Sequence, residues 1–196
     1  MSHRATRALV WICLLGCGGA SVRTDTSDAP PAAYDRGEEI FARLREEAVI
    51  LLPQHDTLEG LLVELQSTLA AYGSQGDVAL QAYQEADEAP WSLRALIRAV
   101  EVYRFTAEVV AETRIMVPLD VRAEMEADPA QAESVEARFR GEVQSVLQQT
   151  AQRLRCRGRS VLQELLPQRR GEGSAGEQAR ADEMLVELTG VCGQLP

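Results

Sequence analysis

Acid–base or nucleophilic chemistry has few places to start in this chain. His55 stands between Pro53 and Asp56 in a loop, and a histidine beside an acid can serve as a general base. No serine or cysteine around it carries a nucleophile motif, so the sequence favours a solvated loop histidine. The pairs Glu38-Glu39 and Glu46-Glu47 could hold a metal or exchange protons. Their neighbours Arg36, Arg43 and Arg45 instead predict a solvated, salt-bridged helix face. Arg153, Arg155, Arg157 and Arg159 alternate, so on a helix they fan out and do not form one groove. Arg169-Arg170 falls in a predicted loop, where a weak contact to an acidic partner is the one role open to it. All 20 basic residues are arginine, and lysine and asparagine are absent. That excludes a lysine Schiff base, a lysine-based phosphate loop and an asparagine-linked glycan. The expectation is a protein with no catalytic, cofactor-binding or metal-binding residues, and so not an enzyme.

The start of the chain carries a clearer signal. Arg4 and Arg7 precede an apolar run from Ala8 to Leu15, about half the ~20 residues that cross a bilayer. A positive start, a short apolar middle and a small residue describe a secretory signal. The segment Leu14-Leu15-Gly16-Cys17 resembles the lipobox of bacterial lipoproteins. That resemblance implies cleavage after Gly16 and a lipid on Cys17, which becomes the new N-terminus; the alternative is an ordinary secretory signal with a chance cysteine. Gly18, in place of an aspartate, fits outer-membrane sorting in such lipoproteins. The organisation expected is a signal peptide over 1–16, an acylated cysteine and tether over 17–34, and a helical domain over 35–196. Loss of Arg4 and Arg7, with no acid lost, moves the formal charge from −10 to −12. Such a surface disfavours nucleic acid and anionic lipid, which leaves the acyl chains to hold the membrane. Gly18 to Ala33 is small, polar and proline-bearing, a tether reaching on the order of 20–25 Å.

The rest of the chain reads as helix and predicts an all-α fold of antiparallel hairpins. A first helix is expected from about Asp35 to Leu52, inward through Ile40, Leu44, Ala48 and Leu51, and stopped by Pro53. Asp56 with Glu59 looks like a capping box, and Gly73 like the stop of the helix that follows. Asp77 is placed to cap a short third helix. After Pro90 a long helix buries Leu93, Leu96, Ile97, Val100, Tyr103, Ala107 and Val110 and is expected to run to Pro118. A weak piece over Leu119 to Ala127 follows. Asp128-Pro129 then opens a helix to Leu166, inward through Phe139, Val143, Leu147, Leu154, Val161 and Leu165, with a kink near Gly158. The last helix spans about Glu177 to Cys192 and presents Ala181, Met184, Leu185, Leu188 and Val191.

Cys156 and Cys192 fall on the last two helices, 36 residues apart. A signal peptide implies a compartment that permits disulfides, and an antiparallel hairpin brings the two thiols to comparable height. The pattern favours a structural disulfide over free thiols. A redox pair or soft-metal site would need a close Cys-x-x-Cys spacing and a nearby histidine, and has neither.

Leu96, Ala99, Val100 and Tyr103 stand at the first-helix spacing of a tetratricopeptide repeat, with Ala99 and Val100 departing from the usual leucine and glycine. The longer string from Trp91 to Phe105 resembles a segment of tetratricopeptide envelope proteins from GC-rich, myxobacteria-like organisms. The resemblance covers roughly residues 60–165 and implies stacked helix pairs with a concave face that holds another protein. The alternative is an unrelated, irregular helical bundle, since no clean 34-residue period is visible. The function expected is a non-enzymatic scaffold or adaptor for another envelope protein, facing the periplasm. The competing reading is a carrier whose cavity, lined by Leu62, Leu96, Phe139 and Leu147, holds an apolar or lipid ligand. Trp91, off the buried stripe, is the candidate partner contact; the alternative is that it staples its helix to a neighbour.

Because the lipid is attached through a thiol, Cys17→Ser should abolish acylation. The variant should leave the membrane fraction or accumulate as an unprocessed precursor, which fractionation and intact-mass measurement would read.

Overall fold

The computed structural model describes residues 29–193. The signal segment, Cys17 and the tether up to residue 28 lie outside the described residues, and the end of the expected tether, from Ala32, is already part of α1. Six helices follow one another: α1 (Ala32–Glu46), α2 (Leu58–Glu85), α3 (Trp91–Ala111), α4 (Leu119–Ala127), α5 (Ala132–Arg169) and α6 (Ala175–Cys192). The fold is all-α, a bundle without a β-strand among the described residues.

The apolar content of α3 dictates the arrangement. Its expected stripe is fully buried, and so are Ala95, Ala99, Val102 and Val109 on its other faces. A helix apolar over most of its circumference, with only the strip Arg94, Arg98, Glu101, Arg104 and Glu108 left charged, needs several neighbours, and α3 is flanked by α1, α2, α5 and α6, with α5 its most extensive partner. The helices alternate in direction. Tyr103 of α3 meets Asp77 of α2 and Gly158 of α5, whereas residues nearer the start of α3 meet the ends of both. Thus α2 and α5 run parallel to each other and antiparallel to α3. A second cluster, built on Leu93, Leu96 and Val100 of α3 with Leu162, Leu166, Met184 and Leu188, fastens α6.

Two glycines allow close approach. A Cβ at Gly37 would lie 2.6 Å from the Tyr83 ring, so α1 rests against α2 only because that atom is missing. At Gly158 a Cβ would stand 3.2 Å from the Tyr103 Cβ. The helix expected to kink there continues unbroken, and Gly158 is where α5 settles onto α3.

Several boundaries differ from expectation. α1 begins three residues early and ends at Glu46; residues 48–52 are extended, with Leu51 bridged in parallel to Arg114. Phe41 and Leu44 are the buried anchors of α1, Ile40 is half-buried, and Leu51 is exposed. Thr57, not Asp56, caps α2 by accepting the Gly60 N–H at 3.1 Å. Gly73 does not stop α2, which absorbs the predicted third helix, because Gly76 and Ala79 pack on α3 and hold the turn helical. Asp77 is consequently a mid-helix residue and caps nothing. α3 ends at Ala111, short of Pro118, where residues 113–117 leave to pair with the extended segment. α5 starts at Ala132 and carries through Pro167 to Arg169. Leu154, Val161 and Leu165 are half-buried on it, while Ala151, Leu162 and Leu166 take the core positions. α6 opens two residues early on a capping box between Ser174 and Glu177.

Cys156 and Cys192 form a disulfide joining α5 to α6, with Cα atoms 5.5 Å apart. A loop of this size implies about 3–4 kcal/mol in the chain-entropy account. Reduction should lower the melting temperature of the full chain by about 5–10 °C. The Cys156→Ala/Cys192→Ala double variant should melt at one temperature with or without reductant.

Candidate functional site

The parallel pair α2 and α5 both lie on α3 and barely touch each other, which leaves a groove of about 620 Å³ between them. Gln66, Ala70, Gly73 and Asp77 line it from α2, and Gln149, Arg153 and Arg157 from α5. Each set repeats at three- and four-residue spacing, one helix face turned to the gap. At one end Tyr103 donates to Asp77 Oδ1 at 2.9 Å, and Arg157 Nη2 stands 3.1 Å from the same oxygen. Burial, then the bond to the Asp77 carboxylate, pushes the Tyr103 hydroxyl above its ordinary pKa, so it stays a proton-bearing donor. Arg153 and Arg157, four residues apart, share this groove, while Arg155 faces a different surface and Arg159 does not line it, so the four arginines fan out as their alternation predicts. Polar amides and charges beside Leu69, Val146 and Leu154 make a surface that can hold polypeptide by hydrogen bonds and shallow apolar contact.

A second polar constellation ties three helices. Arg98 of α3 grips Glu38 of α1 through two hydrogen bonds of 2.6 Å, and Tyr83 of α2 donates to Glu38 at 2.8 Å. Arg98 also donates to Glu101 at 2.6 Å and lies over the Phe41 ring. Glu38 is therefore not on a solvated face, which corrects its sequence reading; its carboxylate is half-buried and fully engaged. Burial raises its pKa, but the bonds from Arg98 and Tyr83 outweigh that and hold it below the usual carboxylate value. With every polar atom committed to a neighbour, this is a clamp and not a proton-transfer centre.

His55 is likewise not solvated: its side chain is 14% exposed, with Nε2 3.2 Å from Glu64 Oε2, within ion-pair distance but not aligned for a hydrogen bond. Arg169 is in the last turn of α5 and donates to the Ser92 carbonyl at 2.6 Å, and Arg170 pairs with Asp182 at 2.8 Å. Arg170 is thus paired within the fold, and Arg169 is tied to the backbone at the start of α3. The half-buried Trp91 ring packs at a 56° tilt against Tyr34 of α1 with centroids 5.1 Å apart, and the Arg94 guanidinium lies over it at 4.6 Å. The four expected cavity residues do not converge. Leu96 is packed in the α6 cluster, Phe139 and Leu147 in the main one, and Leu62 is half-buried at its margin. Among the described residues no group of three or more His, Cys, Asp and Glu could hold a metal, and no helix is long and apolar enough to cross a membrane.

The groove was missed in the sequence because Gly73 and Asp77 read as helix punctuation. An unbroken α2 would have shown Gln66, Ala70, Gly73 and Asp77 as one polar face of small and hydrogen-bonding residues. No family model, curated protein or solved structure matches the chain.

A depressed folded-state pKa stabilises above the unfolded value of about 4.3 and is lost as pH falls through the folded one. At pH 6 Glu38→Gln should cost about 1–2 kcal/mol, discounted for partial exposure. The gap in melting temperature between variant and wild type should narrow below about pH 4. Thermal melts of both proteins across pH 3–7 would read it.

Proposed function

We propose that this protein is a non-enzymatic scaffold or adaptor, held in the outer membrane by a lipid on Cys17 and facing the periplasm, that binds another envelope protein. The observation carrying this reading is a packed core combined with an open, polar-lined groove between α2 and α5. A carrier of apolar ligand needs an enclosed apolar chamber, and the side chains that would line one are spent in two separate packed clusters. Part of this sequence resembles tetratricopeptide proteins, which hold another protein on a face between stacked helices, and α2 and α5 border such a groove here. Arg153 is exposed and has no ion pair among the described residues, so a carboxylate on the partner would complement it. Trp91 takes the stapling role, between α3 and α1.

Ala70 is exposed in the groove, and Ala70→Trp would fill it while leaving the core untouched. The variant should melt within about 0.5 kcal/mol of wild type, as exposed substitutions do. In crosslinking and pull-down from native membranes through a C-terminal tag, it should lose the partner that wild type retains. Full recovery of every partner by the filled variant would remove the groove from the adaptor reading. Lipid released in stoichiometric amount on organic extraction of the purified protein would support the carrier instead.

A further inference from the structure

Beyond the groove, two extended segments meet in a short parallel ribbon built on the single bridge between Leu51 and Arg114. The Arg114 N–H donates to the Ile50 carbonyl at 3.1 Å, and the Leu52 N–H donates to the Arg114 carbonyl at 3.4 Å. The Gln54 side chain continues the pairing by donating to the Val117 carbonyl at 2.7 Å. Strand periodicity sorts the side chains: Ile50 and Leu52 are buried, while Val49 and Leu51 are 73% and 65% exposed. Met116, on the outward face of the second segment, is 44% exposed. Because Ile50 and Leu52 carry the ladder bonds, the Leu51 N–H and C=O are directed to the opposite edge, and neither has a partner among the described residues. Arg114, opposite Leu51 on the same outer face, is exposed and has no ion pair among the described residues.

We propose that this edge is a second docking site, independent of the α2–α5 groove, that takes an extended segment of a partner protein by strand addition beside Leu51. Unpaired main-chain donor and acceptor groups next to exposed apolar side chains are what such a segment uses. The segment carries apolar residues at alternate positions, to lie beside Val49 and Leu51, and a carboxylate for Arg114. The added strand lies two strand spacings, about 9.6 Å, from Arg114, a gap that the arginine and the facing carboxylate side chain close together by reaching across Leu51. Lipid tails would cover the apolar side chains but leave the Leu51 amide and carbonyl unpaired in a dry surrounding, which is costly. A second copy would bring two chains of formal charge −10 together. Pro53, with no N–H to offer, limits the added strand to a few residues.

The test uses the full chain in detergent and a library of ten-residue peptides with alternating valine and threonine and one glutamate at each position in turn. At least one peptide should bind and slow hydrogen exchange of the Leu51 amide at least tenfold. N-methylation of alternate amides in that peptide should weaken binding at least tenfold, and Arg114→Gln or glutamate-to-glutamine in the peptide about fivefold. If no peptide protects Leu51 at millimolar concentration, or the N-methylated peptide binds equally well, the proposal fails. It also fails if Leu51→Asp abolishes either concentration-dependent dimerisation or binding to phosphatidylethanolamine–phosphatidylglycerol vesicles while no peptide binds, because the edge then serves a second copy or a membrane. Ala70→Trp should leave peptide binding unchanged, so failure of the groove and failure of the ribbon are read separately.

Discussion

Everything in this fold depends on enclosing α3. A 21-residue helix buried over all but one charged strip cannot be served by one neighbour, and four helices pack on it. Polar groups drawn into the packing are satisfied: Thr106 bonds the Val102 carbonyl at 2.8 Å, Ser92 pairs with Glu172, and Arg98 is held by two carboxylates. Enclosure also sets where the surface opens. Because α2 and α5 both spend their apolar faces on α3, the sides they turn to each other are polar and small, and they do not close. The groove is thus a by-product of central packing, with Asp77, Arg157 and Tyr103 pinning one end of it.

What the sequence made legible follows the strength of its periodicity. The α3 stripe is buried as the spacing predicts, the bounds of α4 agree residue for residue, and Cys156 and Cys192 meet where an antiparallel hairpin puts them. The failures are local signals overruled by tertiary contacts. Gly73 and Asp77 look like a stop and a start, but packing of Gly76 and Ala79 on α3 carries α2 through them. Ala48-Val49-Ile50-Leu51-Leu52 fits helix or strand by composition. Only its pairing with residues 113–117, more than sixty positions away, decides for the extended form. Glu38 read as one acid on a charged face because nothing local announces that Arg98 and Tyr83 will enclose it. His55 was misread for the same reason, since Glu64 and the loop packing that bury it come from the next helix and not from its neighbours.

The two open surfaces differ in kind. The groove offers side-chain amides and charges on rigid helices, whereas the ribbon offers main-chain groups at an edge. The ribbon segments are coupled to the helices they precede. The Leu119 N–H donates to the His55 carbonyl, and Asp120 accepts the Leu58 N–H, each at 3.0 Å, so the starts of α2 and α4 are set by one shared network.

The Glu38–Arg98–Tyr83 clamp has a mechanical meaning. Tension on the chain ahead of Ala32 enters the fold through α1, and this clamp lies within about two turns of that point. α1 has no covalent tie to the rest beyond its own backbone, while α6 at the other end of the chain is riveted to α5 by the disulfide. Load applied there falls first on α1, with the ion pair as its latch and the Gly37–Tyr83 fit as its seat. The unit of α3, α5 and α6 would stay intact after α1 had peeled away, so a pull on the N-terminal side would strip one helix and spare the rest.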